Sequence, residues 1–144
     1  KEAGIFDEMK KIRIETLIQY GYKNTIREEV GDKPDIIAQH LAELATPWAE
    51  QFDANSLIVL RKAGIQFDAR PKVANIKAPL LYVLSRSDNL FPPSIAPDTM
   101  KLLKKAGVNA RYFELDSDNG HHAPSVDWQG WVKELEAFMN RRTS

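Results

Sequence analysis

Two short apolar runs, Leu80-Leu81-Tyr82-Val83-Leu84-Ser85 and Ala110-Arg111-Tyr112-Phe113-Glu114-Leu115, with a helix-length segment between them, constrain the fold of this chain more than any other feature. The first is too short for a buried helix and apolar enough for a strand covered on both faces, and the second alternates as a strand does. Between them Pro92-Pro93 break the chain, and residues 98–105 read as a helix that Gly107 closes. Strand, helix, strand with a connection of this length predicts two parallel strands joined by a right-handed crossover, hence an α/β fold.

The sequence ahead of this unit has a different texture. Residues 2–20 place Ile5, Met9, Ile12 and Phe6, Leu17, Ile18 at helical spacing, with Gly21 as the stop. Asp32 and Pro34 open a second helix carrying Ile36, Ile37, Leu41 and Leu44, which Pro47 should end or kink near Ala45. Asp53 caps a third through Leu57, Val59 and Leu60, closed by Gly64. After the second strand a final helix is expected from about Val126 to Arg141, with Trp131, Val132, Leu135, Phe138 and Met139 on its inner face. The expected organisation is a helical segment, 1–72, followed by an α/β segment, 73–144.

Charge and composition narrow the function classes. Twenty basic and twenty acidic residues cancel, and Lys and Arg never form a block longer than two, so nucleic acid and anionic lipid are not expected partners. The absence of cysteine removes disulfides, thiolate chemistry and cysteine-based zinc sites, and fits a reducing compartment, with the cytoplasm as the expected location. No apolar run approaches the ~20 residues a bilayer requires, so no membrane association is expected. His122, beside His121, has no third ligand in view, and no metal site is expected.

Chemistry concentrates where the strands end. Asp88 follows the first strand and His121 the second, 33 residues later, behind Gly120, which lets the loop turn sharply. In open α/β sheets that edge gathers catalytic groups. An acid and then a histidine on successive strands are two members of a Ser…Asp…His triad in α/β-hydrolase order: His121 can bond Asp88 through Nδ1 and present Nε2 to a serine. Taken alone, Asp88 reads as an Asx-turn acid and His121 as a surface residue. Asp116 and Asp118 read as a solvated turn or as a source of negative potential, His40 as a surface or interface residue, and Trp48, Trp128 and Trp131 as packing. The nucleophile is missing: no two of the glycines at 4, 21, 31, 64, 107, 120 and 130 are four apart, so the chain holds no G-x-S-x-G elbow. With lysine rather than methionine at position 1, this leads to the expectation that the chain is the back half of an enzyme.

Three motifs together resemble the homoserine O-acetyltransferases. Gln51-Phe52-Asp53-Ala54-Asn55-Ser56-Leu57 with Phe67-Asp68 is similar to their lid helix, Ser87-Asp88-Asn89-Leu90-Phe91-Pro92-Pro93 to their acid loop, and Gly120-His121 to their histidine loop. The resemblance spans residues from about 12 to 140. It implies the C-terminal portion of an α/β-hydrolase fold, a helical lid followed by a strand-helix-strand-helix unit. It further implies Asp88 as the triad acid and His121 as the general base, with the serine nucleophile in an N-terminal half outside these residues. Acetyl-CoA would be the co-substrate, no bound cofactor is needed, and the lid helices would form a homodimer.

One position departs from the family pattern. Gly-His-Asp becomes Gly120-His121-His122, and His122 stands where the family aspartate faces the substrate ammonium. His122 is thus the expected substrate-binding residue, and the acceptor could be homoserine, another alcohol, a thiol or water. An esterase of the same superfamily, or a lid and dimerisation module without chemistry, are the competing readings.

Overall fold

The computed structural model describes residues 3–140, which fall into two compact units, Lys1–Asp68 and Ala69–Ser144. The first unit is helical: α1 (Ala3–Gln19), α2 (Tyr22–Val30), α3 (Pro34–Gln51) and α4 (Ala54–Gln66). Its core joins Leu17 of α1, Ile26 of α2, and Ile37, Leu41 and Ala45 of α3, with Ile14, Tyr22 and Val30 packed around them. Full burial of one such leucine contributes roughly 1.5–3 kcal/mol. Met9, Leu17, Ile37 and Leu41 are buried as the helical spacing predicts, whereas Ile5, Ile12, Ile18 and Leu44 remain exposed.

Helix α2 was not expected between Gly21 and Asp32. It offers only Tyr22, Ile26 and Val30, a stripe one residue wide at every fourth position, with Asn24 and Thr25 diluting the signal. Gly21, at φ 97°, turns the chain between α1 and α2, and Gly31, at φ 77°, ends α2. Asp32 does not cap α3; Lys33 holds that position in an extended conformation and Pro34 opens the helix, its fixed φ suited to the first turn.

Pro47 neither ends nor breaks α3, which runs on to Gln51 with Ala45 and Ala49 fully buried on either side. The helix continues through Pro47 although an interior proline ordinarily costs roughly 3 kcal/mol. Asp53 caps α4 as expected, accepting from the Ser56 amide at 2.6 Å. Gly64 is passed rather than used as a stop, and α4 ends at Gln66, where Phe67 turns extended.

In the second unit a 3₁₀ segment, Arg70–Asn75, leads to β1 (Leu80–Ser85), followed by α5 (Ala96–Lys105), β2 (Ala110–Leu115), the short α6 (Ala123–Val126) and α7 (Val132–Asn140). The strands pair in parallel, Leu80 opposite Ala110 through Ser85 opposite Leu115, as the strand-helix-strand pattern predicts. Val73, Leu103 and Val108 form the core below α5, joined by Leu80, Met100 and Ala110. Among the described residues no helix is long and apolar enough to cross a membrane.

The expected continuous helix from Val126 is instead α6, a 3₁₀ turn over Trp128–Gly130, and α7. Asp127 is pulled out of helical geometry by Ser117 and Asn119, both of which donate to its Oδ2. The Trp131 indole then donates to the Pro124 carbonyl at 3.1 Å, folding the chain back on itself. Trp131, Val132, Leu135 and Phe138 are half-buried as the pattern implies, while Met139 is exposed.

Candidate active site

The acid loop begins where β1 ends. The Asp88 amide bonds the Ser85 carbonyl at 3.1 Å, closing a turn that aims the carboxylate back under the loop, where it is 5% exposed. One carboxylate oxygen, Oδ1, accepts from the amides of Leu90 and Phe91 at 2.8 and 3.0 Å, which is the Asx-turn geometry. The other, Oδ2, lies 2.8 Å from Nδ1 of His121. The turn-capping and dyad readings of Asp88 are therefore not alternatives, because each oxygen serves one of them.

Burial pushes the Asp88 carboxyl up, but the hydrogen bonds from His121 and from the Phe91 and Leu90 amides outweigh it and hold the group below its ordinary value. An ionised carboxylate only accepts, so Nδ1–H of His121 is the donor in this contact. The Phe91 ring packs against the imidazole in a tilted arrangement, 5.3 Å between centroids at an angle of 55°. His121 itself remains about a third exposed.

A cavity of about 440 Å³ opens beside this pair, within the usual range for small-ligand sites. Tyr82 and Leu84 of β1, Phe91, Ile95 and Pro124 line it together with Asp88 and His121. His122 is not among its lining residues. Burial lowers the basicity of His122 and the charge of Asp127 opposes that shift, so the ring favours its neutral form.

Several contributors escaped the sequence reading. Asp116 and Asp118 are not a free source of potential: they flank Arg86, accepting from Nε at 2.6 Å and from an Nη at 2.8 Å. This pairing follows once the register is known, since Arg86 and Asp116 extend the Ser85–Leu115 alignment by one step. Behind the histidine loop, Ser117 donates to Asp127 at 2.5 Å and accepts from the Asn119 amide at 3.0 Å. Ser87 accepts from the Gly120 amide at 2.9 Å. His40 lies apart from the site, its Nδ1 2.9 Å from the Ile36 carbonyl oxygen one turn earlier in α3. Among the described residues no group of three His, Asp or Glu side chains is placed to hold a metal ion.

Parallel strands that carry a carboxylate and a hydrogen-bonded histidine at their C-terminal ends are the arrangement of the C-terminal portion of an α/β-hydrolase fold, and that is the fold of this chain. A crystal structure of the esterase E22 L374D mutant superposes with a TM-score of 0.70 at 20% identity, over 92% of this chain and 42% of that one.

In sequence the chain is similar to homoserine O-acetyltransferases. That of Symbiobacterium thermophilum is 35% identical over 105 residues, covering 63% of this chain. That of Haemophilus influenzae (strain 86-028NP) is 29% identical over 106 residues, covering 69%. That of Deferribacter desulfuricans is 25% identical over 147 aligned positions, covering 96%. The chain spans only 27%, 30% and 33% of these three relatives. No family model matches it.

Proposed function

We propose that this chain is the acid- and histidine-bearing part of an acyltransferase of the homoserine O-acetyltransferase type, with Asp88 as triad acid and His121 as general base. The observation that carries the reading is the Asp88 Oδ2 to His121 Nδ1 contact of 2.8 Å, with the other carboxylate oxygen already held by two backbone amides. That arrangement fixes the tautomer whose Nε2 can take a proton from a hydroxyl.

In the proposed reaction a serine supplied by polypeptide outside these residues attacks the thioester carbonyl of acetyl-CoA. Its proton passes to Nε2 of His121, and Asp88 stabilises the imidazolium. Collapse of the tetrahedral intermediate breaks the carbon–sulfur bond, and His121 returns the proton to the departing thiolate. An acceptor alcohol then gives its proton to Nε2 and attacks the acyl-serine; the bond from the acyl carbon to the serine oxygen breaks, His121 returns the proton to that oxygen, and the ester leaves. His122 is the proposed acceptor-side residue; an uncharged imidazole offers no carboxylate to an ammonium, which favours a plain alcohol, a thiol or water over an amino alcohol. With water as acceptor the same steps make an esterase, the second reading. A two-fold assembly through the helices of the first unit belongs to the proposal, supported by Ile58, Val59 and Leu60 of α4, each more than half exposed.

The test is product partition by the full-length polypeptide supplied with acetyl-CoA. Ester formation with an added alcohol supports the acyltransferase, and hydrolysis indifferent to any acceptor supports the esterase. The 144 residues alone should turn over p-nitrophenyl acetate no faster than their Asp88→Ala, His121→Ala double variant. Turnover well above that variant would mean a nucleophile lies within this chain.

A further inference from the structure

We propose that Ser87 is a positioning residue for His121, acting through the Gly120 amide; the inference deepens the reading of His121 as the base and rests on it. Asp88 meets His121, and the residue before each meets its counterpart: the Gly120 N–H donates to the Ser87 hydroxyl oxygen at 2.9 Å, again 33 residues apart. The acid and histidine loops are thus clamped by consecutive rungs, one side chain to side chain and one side chain to backbone.

The histidine loop needs such a clamp. Gly120 is buried at φ 58°, in the left-handed region, and the chain continues from it as a single 3₁₀ turn over Gly120–His122 with no long helix to hold it. The other ties are of different kinds. Arg86 bridges to Asp116 and Asp118 at the surface, where solvent and salt weaken ion pairs. Ser117 and Asn119 bind Asp127, which anchors the stem of the loop to the segment after it and not to the acid loop. Of these, only the Ser87 contact fixes the backbone next to His121 directly against the residue next to Asp88. A neutral, part-buried bond of this kind is insensitive to salt, and without it a buried N–H loses its acceptor and the loop must move to find another.

Histidine ¹⁵N spectra and amide exchange of the 144-residue chain test this without turnover. In the unaltered chain His121 should show one tautomer, protonated on Nδ1, at low and at high salt. Ser87→Ala should mix the tautomers and speed Gly120 amide exchange at least tenfold, with the β1 and β2 amides unchanged, and Ser87→Thr, which keeps the oxygen, should restore both. Should Ser87→Ala not fold, Ser87→Cys, whose sulfur accepts weakly, should give the same changes in smaller measure. A folded Ala or Cys variant with an unaltered His121 spectrum and unaltered Gly120 exchange would overturn the proposal, as would a Thr variant no better than Ala. In the full-length polypeptide Ser87→Ala should lower kcat about tenfold with KM unchanged. Disordered His121 with unchanged kcat would refute the catalytic reading of His121 and leave the Ser87 contact standing.

Discussion

Asp88→Asn keeps the shape of the side chain and removes its charge. In the fold Oδ1 receives the Leu90 and Phe91 amides and Oδ2 receives Nδ1–H of His121. The amide oxygen of asparagine can keep the two backbone bonds in weaker, neutral form, while its NH₂ must face a ring nitrogen that was itself a donor. Bonds to a charged acceptor contribute about 1.5–3 kcal/mol and neutral ones about 0.5–1.5 kcal/mol, so weakening two and losing one removes about 3.5–6 kcal/mol gross. An amide costs less to bury than a carboxylate, which offsets part of that and leaves a net loss of about 1–3 kcal/mol. The lowered Asp88 pKa has the matching sign, its bonds outweighing its burial. Because the folded value lies below the ordinary 3.8, the contribution is present in full above about pH 4 and is lost as pH falls through the folded value. Urea denaturation of both chains followed by circular dichroism should show the full gap near neutral pH and a narrowing gap below about pH 4. A gap that does not narrow in acid would refute the role of the charge, and no gap at neutral pH would refute the hydrogen-bond account altogether.

Other substitutions probe separate contacts. Gly130→Ala would place a Cβ 2.8 Å from Cδ1 of Leu115, a side chain only 2% exposed, so thermal unfolding should register an overpacking cost of about 1–3 kcal/mol. Ser85→Ala removes a buried hydroxyl that has no hydrogen-bond partner among the described residues, and stability should hold or rise by up to about 1 kcal/mol, where a clear loss would reveal a partner. Burial lowers the His122 pKa below 6.5, so the folded state resists its protonation and stability is lost as pH falls through that value; His122→Gln should flatten the profile there. Tyr112, raised to about 12 by burial and by its bond to Glu114, should titrate well after ordinary tyrosines in ultraviolet absorbance, and Tyr112→Phe should remove that late step.

What the sequence made legible tracks how local each signal is. The strands at Leu80–Ser85 and Ala110–Leu115 were readable because short apolar runs bounded by Pro and Gly have few other uses. Asp88 and His121 were readable because parallel strands bring their C-terminal ends to one edge. Helix α2 was not, since Tyr22, Ile26 and Val30 make a stripe only against a core that other helices complete. The break at Asp127 was hidden because it depends on Ser117 and Asn119, which meet it only after β2 has turned. The Ser87–Gly120 rung was equally hidden, a serine before an aspartate carrying no pattern of its own.

The central claim, that Asp88 and His121 are the acid and base of an acyl-transfer site, is tested most directly by the rate of acyl-serine formation in the full-length polypeptide. Rapid-mixing with p-nitrophenyl acetate should show His121→Ala slowed by about 10⁴ or more, and His122→Ala changed by less than about 100-fold. Equal losses at the two histidines, or an undiminished burst in His121→Ala, would contradict the account.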